Sequence, residues 1–250
     1  MTEVARTALV IGAAGGILRG VAAGLADRGH TLILLDRDRA AVEELAVTLG
    51  GRTKVETVVS DITDLSAAEG QLTGLVDHHA PQILVNGVGG DTRVIGYPDL
   101  TTEDFDRSFL ENVVSTWLAI KVCGPAMAKS GYGRIVNFAS AGGRTYSHFN
   151  NAAYVAAKAG VIGMTKQIAY EMASAGVVAN VVAHGPIATD RVAGAWERRD
   201  DKQKQEVLGK LPMRRMGSVD EAVGSVLYLC SESAGYTTGS VIDINGGLYM

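Results

Sequence analysis

Tyr154 and Lys158 stand four residues apart in the alanine-rich stretch Asn151-Ala152-Ala153-Tyr154-Val155-Ala156-Ala157-Lys158-Ala159-Gly160. That composition favours a helix, expected to run to about Gly176, and on a helix the two side chains share a face one turn apart. An ammonium beside a phenol favours the phenolate and draws its pKa towards neutrality, as a group exchanging a proton with an alcohol oxygen requires. A Tyr and a Lys at this spacing also arise by chance, so other residues must support the reading. Ser140 lies 14 residues earlier, at the end of a predicted strand, and could donate a hydrogen bond to an oxygen shared with the tyrosine. Gly12-Ala13-Ala14-Gly15-Gly16-Ile17 joins the first predicted strand to the first helix. Glycines there let the backbone turn tightly and approach a pyrophosphate, which the free N–H groups of a helix start attract. Asp36 closes the second predicted strand, 24 residues after Gly12. An acid at that place accepts hydrogen bonds from adenosine ribose hydroxyls and repels a 2′-phosphate, which favours NAD over NADP. Arg37 and Arg39 temper this preference, being either phosphate ligands or solvated charges at a helix start.

Positioning these groups is the work of short apolar runs that alternate with helical stretches. Strands are predicted at Thr7 to Gly12, Thr31 to Asp36, Lys54 to Ser60, Gln82 to Asn86, Arg134 to Ser140, Val177 to Ala183 and Val241 to Ile244. Helices are predicted at Gly16 to Arg28, Arg39 to Leu49, Asp64 to His79, Thr101 to about Lys129, and Ser218 to Ser231, besides the one that carries Tyr154. Continuous apolar strands followed by helices mean right-handed strand–helix–strand units and a parallel sheet covered on both sides. The expected architecture is α/β: residues 1–250 form one Rossmann-type doubly wound domain of about seven strands, with no linker or repeat. In such sheets ligands bind beyond the carboxyl ends of the strands, where Gly12, Asp36, Asp61, Asn86, Ser140 and Gly185 fall. Residues 190–211 contain Trp196, clustered charges and no long apolar run, and read either as a mobile helical lid over the substrate or as a charged surface helix.

Composition excludes several classes of function. Hydrophobic residues make up 47% of the 250 and charged residues 20%, as in an ordinary globular protein. A net charge of −4 gives no reason to expect nucleic acid or an anionic membrane as a partner. Cys123 and Cys230 lie in apolar helical patterns without metal-like spacing, so reduced core cysteines and no metal site are expected. Neither a signal segment nor a bilayer-length apolar run is present, which points to a cytoplasmic protein.

Taken together, these motifs resemble the short-chain dehydrogenase/reductase family, in its shorter single-domain subgroup. The resemblance covers nearly the whole chain: Gly12-x-x-x-Gly16-Ile17, Asp61, Asn86, Asn112, Ser140, Tyr154, Lys158, Gly185-Pro186-Ile187-Ala188-Thr189, Thr238-Gly239 and Asn245-Gly246-Gly247. It implies a catalytic set in which Tyr154 is the acid/base and Lys158 lowers its pKa and binds the nicotinamide ribose. Ser140 would polarise the substrate oxygen, and Asn112 would hold a water that links Lys158 to solvent. Asp61 would meet the adenine, Ile62 and Asn86 the cofactor, and Ile187 and Thr189 the carboxamide. His148, Phe149, Gly185 and Trp196 would face substrate, and a homotetramer is implied.

Four departures stand out. Ile11 replaces the usual threonine, and Leu18 replaces the third motif glycine, so its side chain must turn into the core or disturb the cofactor. The stretch after the fourth strand is Asn86-Gly87-Val88-Gly89, matching the family pattern only at its ends. His184 stands where a proline is usual, either as a second titrating group or as a structural residue. The expected function is NAD(H)-dependent interconversion of a secondary alcohol and a ketone. The ending Ile244-Asn245-Gly246-Gly247-Leu248-Tyr249-Met250 also resembles 3-oxoacyl-thioester reductases, and Arg93, Arg144, Arg198 and Arg199 could reach a phosphopantetheine or nucleotide phosphate, although those reductases usually prefer NADPH. A nucleotide-binding protein without catalysis, suggested by Leu18 and Val88, is the remaining alternative.

Overall fold

In the computed structural model, which describes residues 4–91 and 93–250, successive residues of the apolar runs point into different layers. Strand β1 (Thr7–Ile11) sends Ala8 and Val10 into one core and Leu9 and Ile11 into another. Strand β2 (Thr31–Asp36) divides in the same way, with Leu32 and Leu34 on one face and Ile33 and Leu35 on the other. A strand with no polar alternation has to be covered on both faces, and two layers of helices do this.

The sheet also contains β3 (Val55–Val59), β4 (Ile83–Asn86), β5 (Gly133–Ser140), β6 (Val177–His184) and β7 (Val241–Ile244). All seven strands are parallel, in the order β3-β2-β1-β4-β5-β6-β7. The chain therefore works outward from β1 to one edge, then returns beside β1 and works towards the other. Where the direction reverses, between β1 and β4, the connections diverge and open a crevice above the strand ends.

One face is covered by α1 (Gly16–Asp27), α2 (Arg39–Leu49) and α9 (Val219–Cys230). The other is covered by α3 (Leu65–His79), α5 (Ser115–Ser130) and α6 (Ala152–Met172). The expected doubly wound α/β architecture is what the structure contains. Cys123 and Cys230 are buried in these cores.

Most element boundaries fall within a residue or two of expectation, and two differences have a visible cause. The long helix predicted from Thr101 to Lys129 is α4 (Thr102–Phe109), a π-helical turn (Leu110–Val114) and then α5. The hydroxyls of Ser115 and Thr116 bond to the carbonyls of Glu111 (2.8 Å) and Asn112 (2.7 Å), and side chains that take helix carbonyls in this way favour local widening. Strand β6 runs one residue further than predicted because His184 pairs with both Ser140 and Ile244.

Candidate active site

Helix α6 begins on a side-chain cap: Asn151 Oδ1 accepts the backbone N–H of Tyr154 at 3.0 Å. Tyr154 is half-buried, and one turn later Lys158 is buried, its Nζ 5.7 Å from the centre of the Tyr154 ring. Lys158 Nζ donates to the Phe138 carbonyl at 2.7 Å, two residues before Ser140 at the end of β5. Burial pushes its pKa down to about 7, far below the usual lysine value, so its charge at neutral pH responds readily to its surroundings. Ser140 Oγ accepts the Gly142 N–H at 3.2 Å, which orients the hydroxyl and leaves its O–H to donate. Asn112, in the π-helical turn, gives its Nδ2 to the Ser108 carbonyl while its Oδ1 is buried without a partner. Gly89 packs so closely on that Oδ1 that no Cβ would fit, and its φ of 108° suits glycine. The loop after β4 thus presses on Asn112 on one side.

Beyond β1, the residues fit a dinucleotide. Gly12 has φ 78°, and helix α1 follows the cap residue Gly15 with no side-chain cap and no acid in its first turn, so its N–H groups and dipole remain available to an anion. A Cβ on Gly16 would sit 2.9 Å from Thr189 Cβ, which brings two expected cofactor residues together across the crevice. Asp36 lies at the end of β2, accepting from Ala14 N at 2.9 Å and Asp38 N at 3.0 Å. Asp61 is exposed, bonded to Thr63 (2.6 Å) and 3.7 Å from Arg37, while Ile62 is buried beside it. Arg37 therefore faces Asp61, and Arg39 pairs with Glu43 at 3.1 Å. Asn86 is buried at the end of β4 and donates to Asn137 Oδ1 at 2.8 Å. Ile187 is buried and bridges to Gly217.

Leu18 resolves one departure. Its side chain is only 4% exposed, lies in the core of the α1 face and occupies the space where any Cβ on Gly87 would be. Leucine at position 18 and glycine at position 87 are thus two halves of one packing solution, and the leucine leaves the cradle clear. Val88 is likewise packed against the other core. His184 resolves another: burial, then the charge of Lys158, pushes its pKa down to about 4, so it is neutral around pH 7. Its ring lies 4.9 Å from that of Phe138, and its Nε2 is buried without a partner.

Of the residues expected to face substrate, His148 is exposed, edge-on to Tyr146 at 5.1 Å and 6.2 Å from Phe149. The segment expected to form a lid is two helices, α7 (Asp190–Glu197) and α8 (Asp201–Gly209). Lys210, just beyond α8, lies 5.9 Å from the Phe149 ring and joins the two walls. Trp196 sits on α7 with Arg199 5.8 Å from its ring, and Gly185 lies where a Cβ would be 2.9 Å from Asn245 Cα. Of the expected phosphate-reaching arginines, Arg144 pairs with Asp243 (3.1 Å) and Arg93 with Asp91 and Asp104. Tyr146, Asp91 and the Leu18–Gly87 contact were not apparent in the sequence; only Asn151, a favoured cap residue just before a helix, carried a local signal. Among the described residues, no cluster of His, Cys, Asp and Glu could hold a metal ion, and no helix is long and apolar enough to cross a membrane.

The sequence profile of a family described as enoyl-(acyl carrier protein) reductase matches residues 12–249. Nodulation protein G of Azospirillum brasilense is 36% identical over 248 residues, covering 97% of this chain and 98% of its own. The chain belongs to the short-chain dehydrogenase/reductase family. It is accordingly an oxidoreductase of that family. A 3-oxoacyl-(acyl carrier protein) reductase of Aquifex aeolicus is 35% identical over 249 residues, covering 98% of this chain and 97% of its own. Among solved short-chain dehydrogenase/reductase structures, a 3-oxoacyl-(acyl carrier protein) reductase of Brucella melitensis with bound NAD has a TM-score of 0.87 and 28% identity, covering 98% of this chain and 91% of its own.

Proposed function

We propose that the chain transfers hydride between NAD(H) and carbon 3 of a 3-oxoacyl or 3-hydroxyacyl thioester, with Tyr154 as the acid/base. The observation that carries the proposal is buried Lys158, anchored on the Phe138 carbonyl beside the Tyr154 ring and next to strand-end Ser140. A bound nicotinamide supplies the hydride acceptor or donor. Tyr154 gives its proton to the carbonyl oxygen as charge develops there, and Ser140 donates a second hydrogen bond to the same atom. Lys158 opposes the negative charge left on the tyrosine oxygen. Asn112, with a buried oxygen still to be satisfied, has the chemistry to hold a water behind Lys158.

The nucleotide would lie from Asp36, on the ribose, through Gly12, Gly16 and Ile17 to Ile187 and Thr189, with Asp61, Ile62 and Asn86 at its sides. The fixed Asp36 carboxylate supports NAD, as does the NAD in the Brucella relative. Acyl-thioester substrates come from the names of the relatives, which favour this reading over a simple ketone. The simple secondary alcohol or ketone is the second reading, and Asp36 is what favours it, because resemblance to the fatty-acid reductases implies NADPH. His148 and Phe149 with Tyr146, Gly185 and Trp196 would border the substrate, and residues 190–211 would close over it. Comparing acetoacetyl thioesters with simple ketones, each with NADH and NADPH, tests the proposal. The thioester with NADH is expected to give the highest kcat/KM; a preference for simple ketones would overturn the substrate assignment.

A further inference from the structure

Asp91, in the loop after β4, holds the start of the helix that carries Tyr154. Its carboxylate accepts the Nδ2–H of Asn151 at 2.9 Å, and that amide also donates to the Arg93 carbonyl at 3.1 Å. The neighbouring Asn150 donates to the Asp91 carbonyl. A carboxylate only accepts, so it compels the Asn151 amide to turn its nitrogen towards Asp91 and its oxygen towards the Tyr154 N–H. Asn151 is 2% exposed, which leaves no water to substitute for either bond. Asp91 is itself held: Arg93 donates to it at 2.7 Å and reaches Asp104, whose carboxylate closes the capping box of α4. Helix α4 leads directly into the π-helical turn that bears Asn112. One short loop therefore touches Asn112 through Gly89 and the Tyr154 helix through Asp91.

We infer that Asp91 is a positioning residue: through Asn151 it sets the direction and the first turn of α6, and hence the place of the Tyr154 hydroxyl. This rests on Tyr154 being the proton donor. Within its own loop Asp91 also accepts the Arg93 backbone N–H at 2.9 Å, a bond that an asparagine oxygen would make equally well. The specific requirement is an acceptor-only group facing a buried amide.

Two readouts test it. In Asp91→Ala the backbone amide of Tyr154, followed by hydrogen exchange in the nucleotide-free protein, is expected to exchange about tenfold faster, as a frayed first turn would. Its kcat is expected to fall about tenfold, with nucleotide affinity unchanged, because an ångström-scale displacement of the donor is enough for that. The second readout is a swap that avoids any cavity. Asn151→Asp keeps a good cap but sets two carboxylates face to face, and should lose about tenfold in kcat. Adding Asp91→Asn restores a donor and an acceptor and should bring kcat back to within about threefold of the unmodified protein. Unchanged exchange at Tyr154 in Asp91→Ala, or a double variant no better than Asn151→Asp, would overturn the inference. The exchange measurement needs no turnover, so intact exchange effects without hydride transfer would strike the proposed function alone.

Discussion

Lys158 is buried with its Nζ anchored on the Phe138 carbonyl, and burial has a consequence for stability as well as for chemistry. An unfolded lysine keeps its proton to a pH of about 10.4, whereas the folded one releases it near 7. Between those values the unfolded chain binds more protons, so stability rises with pH across that window, and the cost of the buried ammonium is complete below it. Lys158→Met is therefore expected to raise Tm at about pH 6, with the gain shrinking by about pH 9.5, while turnover drops by at least about a hundredfold. Thermal unfolding at both pH values checks this, and a variant no more stable at the lower pH contradicts it. His184 works in the same sense over a lower window: stability is lost as pH falls from about 6.5 through 4, and His184→Phe should flatten that loss. Tyr154, Lys158 and Ser140 were legible in the sequence because helix period and strand ends are local. Asp91 was not, because its bond to Asn151 spans 60 residues and depends on which way an amide faces.

At the scale of elements, the contact between α1 and the end of β4 carries a prediction of its own. Any side chain at position 87 would overlap Leu18, so Gly87→Ala should cost about 1–3 kcal/mol through overpacking. In that background Leu18→Ala should restore part of the lost stability, although alone it would remove buried volume and cost about 2–5 kcal/mol. Denaturant unfolding of the two single variants and the double gives the coupling; simple additivity would mean the two residues do not share the space. Most strands and helices could be read from apolar periodicity and caps to within a residue or two. Periodicity could not show the π-helical turn at Leu110–Val114, which leaves the apolar pattern almost unchanged while its cause, the Ser115 and Thr116 hydroxyls, lies in side-chain bonds. Leu18 looked like a defect because its compensating glycine is on another element.

For the whole molecule, the sheet order sets one crevice between β1 and β4, and every residue proposed for catalysis or cofactor binding derives from the strand ends, helix starts or π-helical turn around it. Alternation of strands and helices made that architecture legible; contacts between loops of distant segments, such as Lys210 near the Phe149 ring, were not. Assembly also belongs to this scale. Phe105, Phe109 and Trp117 on α4 and α5, and Tyr170 on α6, are large and exposed, and we propose that these faces meet in a homotetramer. Sedimentation of the 26.1 kDa chain is expected to give four times its mass, and Phe109→Glu with Trp117→Glu a smaller species. A monomer at micromolar concentration would contradict this. The most direct test of the central claim is NADH oxidation with an acetoacetyl thioester by the unmodified protein and by Tyr154→Phe, together with NADH binding to both. Removing one hydroxyl should lower turnover about a thousandfold or more and leave nucleotide affinity nearly unchanged. Turnover by Tyr154→Phe equal to that of the unmodified protein would contradict the assignment of Tyr154 as the acid/base.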